Sequence, residues 1–261
     1  MIGLFLGDTD FSEIVLTKIK KLNKKYFIID FSKNNKFHKD ENSFRISIGK
    51  FGSIINLIKQ KKCKKVLFAG KIAKPNFSSL RLDFKGIYYM PSVIKAAKKG
   101  DAAIIKSIIN ILNNEDIKVI SSIYFNPELS LKSGNYTKPK PNKDDLASIK
   151  KGIKYFNKLN DLDHVQALVV NNSKIITRED REGTKKMLSK LQKKTQGILI
   201  KFPKKKQDLR MDLPTIGLQT FKDCKKYGLK GIVLKSKKNI ILDRVKCINF
   251  ANRNKIFMKV V

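Results

Sequence analysis

Three short apolar runs, Ile2–Leu6, Tyr26–Asp30 and Lys65–Ala69, alternate with two stretches of helical spacing in the first seventy residues. Asp10–Asn23 places Phe11, Ile14, Val15, Ile19 and Leu22 on one helical face, and Gly49-Lys-Phe-Gly opens a second helix that turns Ile54, Ile55 and Ile58 inward. Short apolar runs alternating with amphipathic helices need a sheet covered by helices, and successive crossovers make that sheet parallel. The pattern predicts an α/β fold whose N-terminal sheet is largely parallel and Rossmann-like. Pro91–Lys98 and Asp101–Asn114 read as two helices, the first stopped by Gly100 and the second capped by Asp101. Ile117–Ile123 reads as a further strand.

Composition then shifts. Residues 126–143 hold Pro127, Gly134, Pro139 and Pro141 among many Lys and Ser residues, which predicts a linker. The expected organisation is an α/β domain over 1–125, a linker over 126–143 and a second α/β domain over 144–261. In the second half, helix Asp144–Leu159 precedes strands Ala167–Val170 and Lys174–Thr177, joined by Asn171-Asn-Ser as in a hairpin. Helix Gly183–Leu191 and strand Gly197–Lys201 follow. Pro214 suits the first turn of a helix reaching Tyr227, where Gly228 ends it. Strands Gly231–Lys235 and Ile240–Asp243, helix Arg244–Asn252 and strand Lys255–Val260 complete the pattern.

The formal net charge is +35, yet 41% of residues are hydrophobic and Phe alone occurs 16 times, so disorder is excluded. Only seven of the 57 cations are Arg; the other fifty are Lys, spread along the whole chain. Nucleic-acid readers favour Arg for bidentate contacts, and neither a recognition motif nor a basic tail is present, so a nucleic-acid partner is not expected. The charge reads as solvated Lys, with attraction to an anionic surface or a phosphorylated substrate as the functional alternative. No run approaches the ~20 apolar residues of a membrane span. Met1–Leu6 is followed at once by Asp8 and Asp10, which predicts a first strand rather than a signal peptide. Cys63, Cys224 and Cys247 form no Cys-x-x-Cys, and an odd number predicts free thiols in a reducing compartment. His38 and His164 form no metal-binding spacing. Chemistry must therefore rest on carboxylates, cations, hydroxyls and backbone amides.

Three segments could carry it. Gly3-x-x-x-Gly7 follows the first strand, either as a phosphate-binding turn or as a simple one. Phe68-Ala-Gly-Lys71 lies at the carboxyl end of a strand, where open α/β sheets bind ligands, and Lys71 offers a cation there. Lys204–Gly217 joins Gln207, Asp208, Arg210 and Asp212 just before a helix start. Carboxylates that hold Mg²⁺ and cations that neutralise phosphate are the parts of metal-assisted phosphate chemistry; the same residues could equally cap and pair within a turn. A second acid-rich turn, Arg178-Glu-Asp-Arg-Glu182, precedes Gly183 and Thr184.

These pieces, in this order, resemble the UDP-2,3-diacylglucosamine hydrolases of lipid A synthesis, the two-domain type unrelated to calcineurin-like phosphoesterases. The resemblance rests on Gly49-Lys-Phe-Gly-Ser-Ile, Phe68-Ala-Gly-Lys-Ile-Ala-Lys-Pro75 and Ala96-Ala-Lys-Lys-Gly-Asp101 in the first half. In the second half it rests on Glu182-Gly-Thr184, Gln207-Asp-Leu-Arg-Met-Asp-Leu-Pro-Thr-Ile-Gly217 and Gly228-Leu-Lys-Gly-Ile-Val233. The chain departs from the family pattern at Gly7-Asp-Thr-Asp-Phe-Ser, at Lys185 and at Lys205.

The resemblance implies hydrolysis of the pyrophosphate of UDP-2,3-diacylglucosamine to UMP and 2,3-diacylglucosamine 1-phosphate, with Mg²⁺ as cofactor and the lipid lying between two domains. It implies Asp212 as the essential aspartate, Asp208 and Arg210 as further catalytic residues, and Asp212 and Asp208 as the metal ligands. Gly70, Lys71, Asp101, Glu182, Gly183, Thr184, Lys204 and Gln207 are the implied substrate contacts. The expected setting is cytoplasmic, at the anionic inner-membrane face that would hold the lipid-linked sugar nucleotide. A different sugar-nucleotide or nucleotide-dependent α/β enzyme is the competing reading, carried by Gly3–Gly7.

Overall fold

The computed structural model describes residues 1–159, 165–180, 182–192, 195–205 and 207–261; His164, Arg181 and Lys206 lie outside the described residues. The chain forms two units, Met1–Pro127 with Arg210–Asp212, and Glu128–Leu209 with Leu213–Val261.

The first unit runs β1 (Ile2–Leu6), α1 (Asp10–Lys21), β2 (Tyr26–Asp30), β3 (Ser43–Phe44), α2 (Phe51–Gln60), β4 (Lys65–Ala69), α3 (Phe84–Lys99), α4 (Asp101–Asn114) and β5 (Lys118–Ile120). Its five strands lie in the order β3-β2-β1-β4-β5, every neighbouring pair parallel. Strands β1, β2 and β4 each bury four consecutive residues, as strands covered on both faces must. The order reverses between β1 and β4, so their carboxyl ends form the switch point where such sheets open a crevice. β5 is shorter than the run expected over 117–123.

Helix α3 differs from the expectation. It begins at Phe84, seven residues before Pro91, and carries that proline inside it. The cause is Asp83, whose carboxylate accepts the Gly86 N–H at 2.8 Å and caps the helix. The same carboxylate accepts the N–H groups of Gly52 at 3.0 Å and Ser53 at 2.8 Å, so one side chain serves the first turns of α2 and α3 together. Burial would raise its pKa, but these hydrogen bonds win and hold it below the ordinary range. Pro91 has no N–H to give the preceding turn, a cost that the double cap offsets.

Glu115, at the end of α4, ties three helices. It accepts from Lys59 of α2 at 2.7 Å, from Lys85 of α3, and from the Tyr89 hydroxyl of α3 at 2.9 Å. Burial pushes its pKa up, yet the three donors outweigh this and bring it from 4.5 to about 2. A lowered carboxylate pKa stabilises the fold above its unfolded value and loses that contribution as pH falls through the folded one. Glu115→Gln is therefore expected to cost about 1–2 kcal/mol at pH 7, discounted for the exposed lysine partners. Thermal unfolding followed from pH 7 to pH 2 should show the difference from wild type shrinking below about pH 4.5 and vanishing near pH 2.

The second unit contains β6 (Gly134–Asn135), α5 (Lys143–Lys158), β7 (Ala167–Asn171), β8 (Lys174–Arg178), α6 (Thr184–Ser189), β9 (Ile198–Lys201), β10 (Thr215–Ile216), α7 (Leu218–Lys226), β11 (Gly231–Leu234), β12 (Ile240–Ile241), α8 (Arg244–Arg253) and β13 (Phe257–Val260). Six strands form a mixed sheet in the order β6-β13-β11-β9-β7-β8, and β10 pairs with β12 apart from it. β9, β11 and β13 are parallel; β7 and β8 form the expected antiparallel hairpin. Its turn sets Asn172 at φ 45° and Ser173 at φ 57°, the left-handed pair a tight hairpin needs.

Two local expectations are corrected here. The segment 126–143 is not an irregular connector: β6 pairs antiparallel with β13, and Leu131 enters the core at 2% exposure. Its prolines flank the pairing residues instead of interrupting them. Pro214 opens no helix: its carbonyl accepts the Ile240 N–H at 2.9 Å, and β10 follows before α7 starts after Gly217. The units thus differ from the composition-based boundaries at residues 128–143 and at Arg210–Asp212.

All three cysteines are free and buried. Burial raises the Cys224 thiol far above its ordinary pKa and the Cys247 thiol to about 11, so neither is a poised nucleophile.

Candidate functional site

The switch point is closed by backbone. The Gly7 N–H donates to the Ala69 carbonyl at 2.9 Å and the Asp8 N–H donates to the Lys71 carbonyl at 2.9 Å. The buried Ser12 hydroxyl lies 2.9 Å from both the Gly7 and Ala69 carbonyl oxygens and shares its one proton between them. A Cβ on Gly7 would sit 2.3 Å from the Lys71 carbonyl oxygen, and one on Gly70, at φ +84°, 2.0 Å from Ser12 Oγ. Gly3 is constrained less severely, since its Cβ would meet side chains only, the Phe27 ring at 2.9 Å. These glycines allow close packing of β1 against β2 and β4. The Gly7 and Asp8 amides are spent on β4 and its following turn, so neither is a donor for the phosphate alternative at Gly3–Gly7.

The clamp roots Lys71 just past the end of β4, beside a cavity of about 400 Å³ within the first unit. The cavity wall is mostly apolar: Phe5 and Phe68 from the sheet, Ile54 and Ile55 from α2, Met90 and Val93 from α3, and Ile104, Ile105 and Ile108 from α4. Four of the lining residues are polar, Lys71, Lys74, Asp101 and Asp212. Asp101 is the first residue of α4, set there by the break at Gly100, whose φ is 110°.

Asp212 arrives from far along the sequence. Arg210–Asp212 belongs to the first unit. The Ser122 N–H, just beyond β5, donates to the Arg210 carbonyl at 2.7 Å, and Met211 packs against the first unit's core. Gly70, Lys71, Asp101 and Asp212 thus line one cavity. Beside the Arg210 anchor, the buried Ser122 Oγ and Asn126 Oδ1 have no hydrogen-bond partner among the described residues. Sequence reasoning singled out neither residue, and only their place after a strand could have pointed to them.

The other expected site residues lie in the second unit. The Gln207 amide oxygen accepts the Lys204 N–H at 2.8 Å. Its buried Nε2 has no partner among the described residues, which leaves a donor to offer. Asp208 lies in the same unit, next along from Gln207. The Thr184 hydroxyl donates to Glu179 Oε1 at 2.7 Å and lies 3.2 Å from Lys201 Nζ. Glu182 pairs with Lys190 at 2.7 Å, and Gly183 supplies the left-handed turn, φ +87°, before α6. Local structure accounts for these hydrogen bonds of the Glu182–Thr184 turn.

Comparison with known proteins is decisive about kinship. Residues 1–129 match the model for the LpxI N-terminal domain, and residues 132–259 match that for the LpxI C-terminal domain. The chain belongs to the LpxI family. A Caulobacter vibrioides protein named UDP-2,3-diacylglucosamine pyrophosphatase LpxI is 31% identical over 223 residues, covering 82% of this chain and 80% of that one. Among solved structures, a dTDP-glucose 4,6-dehydratase (rfbB) from Bacillus anthracis str. Ames in complex with NAD shares 12% identity over 56% of this chain and 43% of its own. Its TM-score of 0.28 is too low to bear on the LpxI fold.

Proposed function

We propose that this LpxI-family chain hydrolyses the pyrophosphate of UDP-2,3-diacylglucosamine, releasing UMP and 2,3-diacylglucosamine 1-phosphate, in lipid A biosynthesis. The observation that carries the reading is the composition of one cavity: Lys71, Lys74, Asp101 and Asp212 in an otherwise mostly apolar lining. A diacylated sugar joined to a diphosphate has the same two characters. Acyl chains gain roughly 0.8 kcal/mol for each buried methylene, and Lys71 offsets negative charge on the phosphates. An apolar surround also excludes bulk water, which strengthens that interaction.

Mg²⁺ fits the chemistry of the donors. Among the described residues no group of three or more potential ligands forms a metal cage. Mg²⁺ rarely needs one, since it usually takes one or two carboxylates and completes its shell with water and substrate phosphate. Asp212 would hold it from the wall of the cavity that Asp101 also lines, and Asp208, four positions earlier in the sequence motif, is the second proposed carboxylate. When bound, the ion would lower the charge barrier to attack on a phosphoryl group. Arg210 and Gln207 are the proposed supporting contacts. Among the described residues that line the cavity there is no Cys or His to act as nucleophile, so direct attack by water is the simplest route.

The test is UMP release by the purified protein from UDP-2,3-diacylglucosamine with Mg²⁺, and its loss on chelation. No release would sink the reading. A narrower check concerns the cavity. Ile105→Trp fills it and is expected to raise KM about tenfold for a long-chain substrate while sparing a short-chain analogue. Equal effects on both would place the acyl chains elsewhere. Association with an anionic membrane surface belongs to the same proposal, since the substrate is a lipid and the chain carries +35.

A further inference from the structure

Helix α3 is apolar on two faces. Gly86, Met90 and Val93 are buried, and Met90 and Val93 line the cavity. On another side Phe84 is 93% exposed, Tyr88 78% and Ile87 62%, with Pro91 also exposed. Positions 84, 87, 88 and 91 recur at i, i+3, i+4 and i+7, one continuous helical stripe. A helix apolar on opposite faces does not suit water on either. Scattered exposed apolar residues need no explanation, but a contiguous aromatic stripe marks an interaction surface.

The charges around the stripe select its partner. From Lys71 to Lys99 there are seven cations and one acid, Asp83. That acid is occupied in capping α2 and α3. Arg81, Lys95, Lys98 and Lys99 are exposed at the two ends of the same helix. Aromatic and aliphatic residues flanked by cations are the composition of a helix lying in the plane of an anionic lipid surface. No helix of the described residues is long and apolar enough to cross a membrane. The first turn is also held rigid: the Asp83 cap fixes it, and Gly86 backs so closely onto Gly49 that an added Cβ would lie 2.2 Å from that carbonyl oxygen.

We infer that the exposed stripe of α3, Phe84, Ile87, Tyr88 and Pro91, inserts into the headgroup region of an anionic bilayer, with the flanking Arg81, Lys95, Lys98 and Lys99 on the phosphates. The inference deepens the proposed action on a lipid-linked substrate and rests on it for purpose. One helix would then face bilayer outside and cavity inside, a short path for acyl chains.

The chain contains no Trp, which makes the test direct. Phe84→Trp gives one fluorophore at the stripe. With phosphatidylglycerol vesicles its emission should shift to the blue and be quenched by brominated acyl chains; with phosphatidylcholine vesicles at physiological salt it should not. Phe84→Ser/Ile87→Ser/Tyr88→Ser, checked for folding by circular dichroism, should lose roughly a hundredfold in vesicle partitioning. Unshifted emission on bound vesicles, or wild-type partitioning by the triple variant, overturns the insertion. A stripe that instead drives concentration-dependent self-association in sedimentation, with no vesicle binding, assigns it to a second copy and also overturns it. UMP release from detergent-dispersed substrate, expected within twofold of wild type in the triple variant, separates the two readings. If wild type releases none, the reaction fails while the docking result stands.

Discussion

Asp212→Asn is expected to cut UMP release by about a thousandfold, equivalent to roughly 4 kcal/mol in the barrier. The substitution keeps the shape of the side chain and removes its charge. What it takes away is a carboxylate that lines the same mostly apolar cavity as Lys71 and Asp101, where low polarity magnifies every charge. Asn is a far poorer Mg²⁺ ligand. Affinity for the acylated substrate should change little, since the apolar wall is intact, so the loss should fall on kcat rather than KM. The thermal midpoint should stay within about 3 °C of wild type. Full turnover by Asp212→Asn would remove this residue from the chemistry and take the proposed mechanism with it.

Gly7→Ala is expected to destabilise the protein by about 3 kcal/mol and lower its midpoint by roughly 10 °C. The added methyl would meet the Lys71 carbonyl carbon at 2.5 Å and its oxygen at 2.3 Å. These are backbone atoms, so no rotamer change relieves the clash, and the ends of β1 and β4 must separate. Separation breaks the Gly7-to-Ala69 and Asp8-to-Lys71 hydrogen bonds together. It also moves the root of Lys71, so activity should fall at temperatures where the protein is still folded. Gly217→Ala is the control. Its added methyl meets only Leu242 Cβ, at 3.8 Å, and the change should cost within about 1 kcal/mol. Calorimetry that finds the two variants alike would show the β1–β4 junction to be more yielding than its contacts indicate.

Periodicity made the first sheet legible, because strands buried on both faces read as unbroken apolar runs between amphipathic helices. It failed at α3, where Phe84, Ile87 and Tyr88 face outward and Pro91 invites a boundary. There a single capping side chain, Asp83, outweighs the proline, and capping by a residue that also serves another helix leaves little periodic trace. The linker reading failed for a related reason: two residues pairing with the last strand depend on contacts more than a hundred positions away. Lys71 was legible from its place after a strand. That Asp212 lines the same cavity was not, since the two positions lie 141 residues apart. Ser122 and Asn126 had no signal in residue type or spacing, and only their burial without partners makes them visible.

The loan of Arg210–Asp212 to the first unit has a consequence for how such a protein can be taken apart or inherited. The two family domains meet near residue 130, as though the gene could be cut there. A fragment ending at that point would keep the cavity, Lys71 and Asp101, and would lack the carboxylate that completes the wall. Its complement would carry that carboxylate with nothing to surround it. Neither half is a transferable module, and a chimaera that exchanges one of them must bring the three-residue segment and its Ser122 anchor from compatible parents.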